Sequence, residues 1–140
     1  MNITVISVGK IKEKYFTAAI DEYSKRLSRF AKLNIIEVAD EKIPDNASEK
    51  EMEQIKEKEG NKILAKLPQN SFVVTLCIEG KEHSSEELAK KIADISMTSS
   101  HITFIIGGSL GLSDTVKSKS ALRLSFGKMT LPHQLMRVVL

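Results

Sequence analysis

Four short apolar runs rich in β-branched residues, Ile3 to Val8, Leu33 to Val38, Phe72 to Ile78 and Ile102 to Ile106, alternate with stretches long enough for helices. No other feature limits the fold as much. β-Branched side chains fit a pleated, half-buried surface, so each run reads as a strand. Strands alternating with helices at these lengths predict an α/β domain with a mostly parallel sheet and right-handed crossovers. Phe72 to Ile78 is the longest run and is expected to be a central strand buried on both faces. Leu33 to Val38 is expected nearer an edge. Ala121 to Ser125 is a candidate fifth strand.

The intervening helices are marked by periodicity and caps. Phe16, Ile20, Tyr23, Leu27 and Phe30 recur at spacings of four and three, which puts them on one helical stripe expected to face the sheet. Pro44-Asp45-Asn46 is a turn. After it, Ser48-x-x-Glu51 is a capping box opening a charged helix that runs to about Leu67, although Gly60 weakens the case for an unbroken one. A second box, Ser84-x-x-Glu87, opens a helix whose Leu88, Ile92 and Ile95 face the core. Pro132 suits the first turn of a last helix.

With 140 residues, 41% of them hydrophobic, the chain can build one ordinary core, so residues 1–140 are expected to form a single domain. Its N-terminus has neither a secretory signal nor a membrane span, which predicts a soluble, cytoplasmic protein. The one cysteine, Cys77, lies in an apolar run and reads as a small core residue. From Thr115 to Leu140 there are five basic residues and no acidic one; residues 1–114 carry 16 basic and 18 acidic groups. That asymmetry fits either a polyanionic partner or a solvated basic face. Lys25, Arg26, Arg29 and Lys32 cluster at a helix end, where cations offset the dipole.

The strand Ile102 to Ile106 breaks into Gly107-Gly108-Ser109-Leu110-Gly111. Glycines just past a strand end allow close backbone approach, and ligands of open α/β sheets sit at the carboxyl ends of the strands. A Walker loop is excluded, because no lysine follows Gly111 at the required place. A dinucleotide fingerprint is disfavoured: Ile106 stands where its first glycine belongs, and no acid lies about 20 residues on. A plain tight turn is the other reading.

Three segments together carry a resemblance. They are Leu76 to Lys81, Phe104 to Gly111, and Ser125-Phe126-Gly127-Lys128-Met129-Thr130-Leu131-Pro132-His133-Gln134-Leu135-Met136-Arg137. They resemble the bacterial SPOUT-class methyltransferases that modify N3 of a pseudouridine in large-subunit ribosomal RNA. The resemblance implies an α/β fold with a C-terminal trefoil knot, S-adenosylmethionine as methyl donor, no metal, a homodimer, and a ribosomal RNA substrate presented by the assembled ribosome. It also implies a donor pocket made by Leu76, Gly108, Gly127, Lys128, Met129, Thr130, Leu131 and Pro132. Leu76 and Leu131 would supply apolar walls, while Gly108 and Gly127 would admit close approach. It assigns no catalytic base. His133 reads either as a helix-start residue bonded to its own turn or as a general base, and Arg137 is the nearest cation.

The last helix ends at Leu140 without a glycine cap or polar tail, so it is expected to be truncated. Relatives implied by the resemblance continue into a tail bearing Tyr and His, and without it weak catalysis and a weaker dimer are expected. Two alternatives remain: a Rossmann-like nucleotide-binding domain, and a non-catalytic RNA- or ribosome-binding module.

Overall fold

The computed structural model describes residues 1–140. Five strands, β1 (Asn2–Val8), β2 (Lys32–Val38), β3 (Phe72–Glu82), β4 (His101–Ile106) and β5 (Leu122–Ser125), form one sheet in the order β2-β1-β4-β3-β5. Every pairing is parallel. The helices are α1 (Lys14–Leu27), α2 (Glu49–Lys66), α3 (Ser85–Ser96), α4 (Asp114–Ser118) and α5 (His133–Val139).

Side chains on each strand alternate between two cores, as the period of two requires. Ile6, Val8, Val73 and Ile105 join Ile63 of α2 and Val116 of α4 on one face. Val74, Ile102, Phe104 and Leu124 join Ile95, Leu88 and Ile92 of α3 on the other, with Leu140 beyond α5 packed against them. The crossovers through α1 and α3 step across the sheet one way on this second face. Those through α2 and α4 step the other way on the first, so all four share one hand, as parallel units demand.

Both capping boxes form as expected: Ser48 and Ser84 each accept from the N3 amide, and Glu51 and Glu87 reach back to the cap amides. Gly60 does not interrupt α2. A Cβ there would lie 2.6 Å from Ser113 Oγ and 3.0 Å from Val116 Cγ2, so the glycine lets the start of α4 pack closely on the helix.

Three sequence expectations are corrected. The central strand is β4, with Ile102 to Ile106 all buried, whereas β3 lies one place from the edge and its Ile78 is 51% exposed. Nor does β3 stop at Ile78: it runs to Glu82, with Leu76 and Lys81 both paired to Leu124, so Cys77 to Gly80 bulge out of the ladder. The third concerns α1, none of whose residues is buried. Its stripe faces an apolar cavity of ≈ 870 Å³ over Ile3, Val5, Leu33 and Ile35 instead of packing down on them. Phe30 lies past the helix end and is 76% exposed.

Candidate functional site

β1 and β4 are neighbours whose crossovers leave in opposite directions, one to β2 and the other past β3 to β5. Such a switch point opens a crevice at the carboxyl ends of the strands. Two glycine bends meet beside it, although they are separated by a helix and a strand in the chain.

The first bend closes tightly. Gly111 N–H donates to Gly108 C=O at 3.0 Å, and the two glycines form an isolated antiparallel bridge. No helix starts on the glycines; α4 begins at Asp114, capped by Ser113 through the Val116 amide at 3.3 Å. The turn is therefore unlike that of a dinucleotide fold, in which pyrophosphate meets a helix N-terminus. Gly108 packs closely: a Cβ would lie 3.2 Å from Val8 Cγ1 and 3.3 Å from Glu59 Oε1, so those side chains would have to give by a few tenths of an ångström.

The second bend leaves β5 at Ser125. Its Oγ accepts from Gly127 N–H and donates to Gly127 C=O, both at 3.1 Å. Gly127 has φ +130 and open space where a Cβ would be. That φ favours glycine whatever the space around it. From here the chain crosses the carboxyl ends of β3 and β4 to reach α5.

Arg137 secures that crossing. Its Nη1 donates to Glu37 Oε2 at 2.6 Å, and Nη2 donates to the carbonyls of Val8 at 2.9 Å and Gly9 at 2.7 Å. It is 8% exposed, and burial works against its charge while Glu37 supports it. The sequence showed Arg137 only as the nearest cation; its structural partners lie 100 and more residues away.

Together the bends and the β3 bulge enclose a cavity of ≈ 360 Å³, within the range of small-ligand sites. Of the residues expected there, Leu76, Gly108, Gly127, Met129, Thr130 and Leu131 line it. Lys128 and Pro132 do not: Lys128 is exposed, and Pro132 with φ −53 serves as N-cap of α5. Cys77, Ile78, Phe126 and His133 also line it. Cys77, expected as a small core residue, and Ile78, expected in a buried strand, are corrected here: the bulge turns them out of the ladder to the cavity.

The larger cavity under α1 is walled mainly by aliphatic side chains and has no turn of exposed peptide groups. A ligand needing orientation fits the smaller cavity better, since a few placed polar groups confer specificity.

Charged groups around the small cavity are mostly engaged. Glu79 pairs with Lys117 at 2.6 Å, and the lysine's hydrogen bond holds the carboxyl below its ordinary range. Lys56 pairs with Glu53. Of the five basic residues after Thr115, Lys117 and Arg137 are tied in ion pairs, leaving Lys119, Arg123 and Lys128 without one. Behind Gly108, Glu59 is buried and accepts from the Glu41 amide at 3.0 Å; burial raises its carboxyl above the ordinary value.

Known proteins match the chain along its whole length. A family model described as "Predicted SPOUT methyltransferase" covers residues 1–140. Ribosomal RNA large subunit methyltransferase H of Clostridium botulinum (strain Kyoto / Type A2) is 62% identical over 100% of this chain and 89% of its own length. The proteins of the same name from Clostridium novyi and Clostridioides difficile are 60% and 58% identical with the same coverage.

Proposed function

Because this chain belongs to the SPOUT methyltransferase family, we propose that it methylates large-subunit ribosomal RNA, taking the methyl group from S-adenosylmethionine and placing it on N3 of a pseudouridine. The observation that carries the reading is the meeting of the Gly108–Gly111 turn and the Gly127–Leu131 bend around one cavity at the sheet's switch point.

The residues present suit such a donor. Leu76, Ile78 and Leu131 give apolar surface for a flat ring, and the glycine bends offer backbone N–H and C=O groups to its edge. When bound, the donor supplies an already activated methyl group on its sulfonium. The protein's share of the work is position: the two bends hold one reactant, and the open mouth beside Met129 admits the other. The bends need a rigid frame, and Arg137 on β1 and β2 with Ser125 on Gly127 provides it. Lys119, Arg123 and Lys128 are free to meet phosphates.

The C-terminal segment forms a trefoil knot in this reading. Support comes from its path: α4 packs on one face, α5 on the other, and between them the chain crosses the ends of strands already laid down. The 140 residues act as one cytoplasmic domain that pairs as a homodimer on the assembled ribosome. The exposed apolar stripe of α1 favours a covering partner. No helix is long and apolar enough to cross a membrane.

The test is methyl transfer from labelled S-adenosylmethionine to ribosomes lacking the modification, with the product base identified after digestion, beside calorimetry against NAD and ATP. Label in N3-methylpseudouridine is expected. Tight binding of NAD or ATP with none of the methyl donor would support a nucleotide-binding domain instead; salt-dependent RNA binding indifferent to the donor would support a non-catalytic module.

A further inference from the structure

Methylating N3 requires the loss of its proton, and within residues 1–140 the cavity wall carries few groups that can take it. Glu79 is held ionised by Lys117 and is a weak base. Lys56 and Lys117 are paired cations. The Cys77 thiol donates to Thr75 C=O at 3.7 Å. His133 is the remaining titratable side chain on the wall.

Its ring is free. The helix-start alternative required it to bond its own turn, but the N-cap of α5 is Pro132 and the His133 ring makes no hydrogen bond to the turn. The other two histidines are engaged, His101 Nε2 with Thr4 Oγ1 at 2.7 Å and His83 Nδ1 with Lys81 C=O at 3.2 Å. Neither ring nitrogen of His133 makes a protein hydrogen bond, neither is a buried orphan, and the side chain lines the cavity.

We propose that His133 is a catalytic residue, the general base that accepts the N3 proton of the target base during methyl transfer. The inference rests on the methyltransferase reading above. As the N3–H bond breaks, its proton passes to a ring nitrogen of His133 and its electron pair forms the new N–CH3 bond. The pair of the broken S–CH3 bond stays on sulfur, leaving a neutral thioether.

The surroundings keep the ring ready to accept. Burial, and then Arg137 one turn along α5, disfavour the imidazolium; Asp40 beyond β2 acts the other way. Glu37 does not reverse this, because its charge is committed to Arg137. Asp40 Cγ and His133 Nε2 flank Gly9, each 3.9 Å from where its Cβ would be. The carboxylate is thus placed to stabilise the ring once protonated.

The experiment compares the wild-type protein with His133→Gln and His133→Ala in ribosome methylation from pH 5 to 9. S-adenosylhomocysteine affinity is measured by calorimetry, and the His133 ring is followed by NMR with and without that ligand. The wild-type rate should rise as the ring loses its proton and then level off. His133→Gln should lose kcat by about 100-fold or more, lack that rise, and keep its ligand affinity; free imidazole should partly restore His133→Ala. Ligand should move the ring resonances. Retention of kcat within about tenfold in His133→Gln, or a loss fully explained by weaker ligand binding, overturns the proposal while leaving the methyltransferase reading standing. A wild-type protein that binds the ligand yet labels no ribosomal RNA overturns that reading too.

Discussion

Arg137→Met keeps the length and apolar stem of the side chain and removes the three hydrogen bonds that tie α5 to the sheet. Hydrogen bonds to a charged group contribute about 1.5–3 kcal/mol each, and breaking a buried pair costs about 3–5 kcal/mol in total. The lower part of that range applies, because the Glu37 side chain is 36% exposed and can recover water. The carbonyls of Val8 and Gly9 recover less, since the guanidinium covering them is buried. A loss of about 3–4 kcal/mol corresponds to roughly 10–15 °C in Tm for a chain of this size. Urea and thermal unfolding would measure it, and calorimetry with S-adenosylhomocysteine should show weaker binding, because the bend before α5 loses its far anchor. Arg137→Lys should fall between, as an ammonium cannot span the carboxylate and both carbonyls. An Arg137→Met protein within about 1 kcal/mol of wild type would refute the anchoring argument.

Other expectations follow from close contacts and titration. Gly80→Ala places a Cβ 2.8 Å from the backbone of Arg123, so β5 must shift; a loss of about 1–3 kcal/mol is expected in urea unfolding, with weaker ligand binding. Glu59→Gln should stabilise the protein near neutral pH. Burial raises the folded-state pKa of Glu59 above its unfolded value, so its ionisation penalty is absent below the unfolded pKa, grows as pH rises, and is full above the folded pKa. The Tm gain of Glu59→Gln should therefore fade as pH falls through that window, and the amide oxygen can still accept from Glu41. A gain that grows with acid would contradict this.

Local chemistry made part of the fold legible. Ser48, Glu51, Ser84 and Glu87 act within one helical turn, and the β-branched runs declare strands wherever they pair, so both survived into the structure. What could not be read depended on partners far along the chain. Phe72 to Ile78 has the composition of a central strand, yet register with Leu124 forces the bulge that turns Cys77 and Ile78 into the cavity. Tyr23 and Leu27 keep perfect helical spacing, but spacing does not say how closely a helix approaches its sheet. Leu76, Gly108, Gly127, Met129, Thr130 and Leu131 line one cavity, while Lys128 and Pro132 adjoin it without lining it. No spacing rule could join Arg137 to Glu37, or show that the His133 ring is left without a partner.

The central claim is that two remote glycine bends build one methyl-donor site. Its most direct test is a crystal structure of the protein with S-adenosylhomocysteine. Density between the Gly108–Gly111 turn and the Gly127–Leu131 bend, against Leu76, is the predicted result. Ligand lying in the apolar cavity beneath α1, with the glycine bends empty, would contradict it.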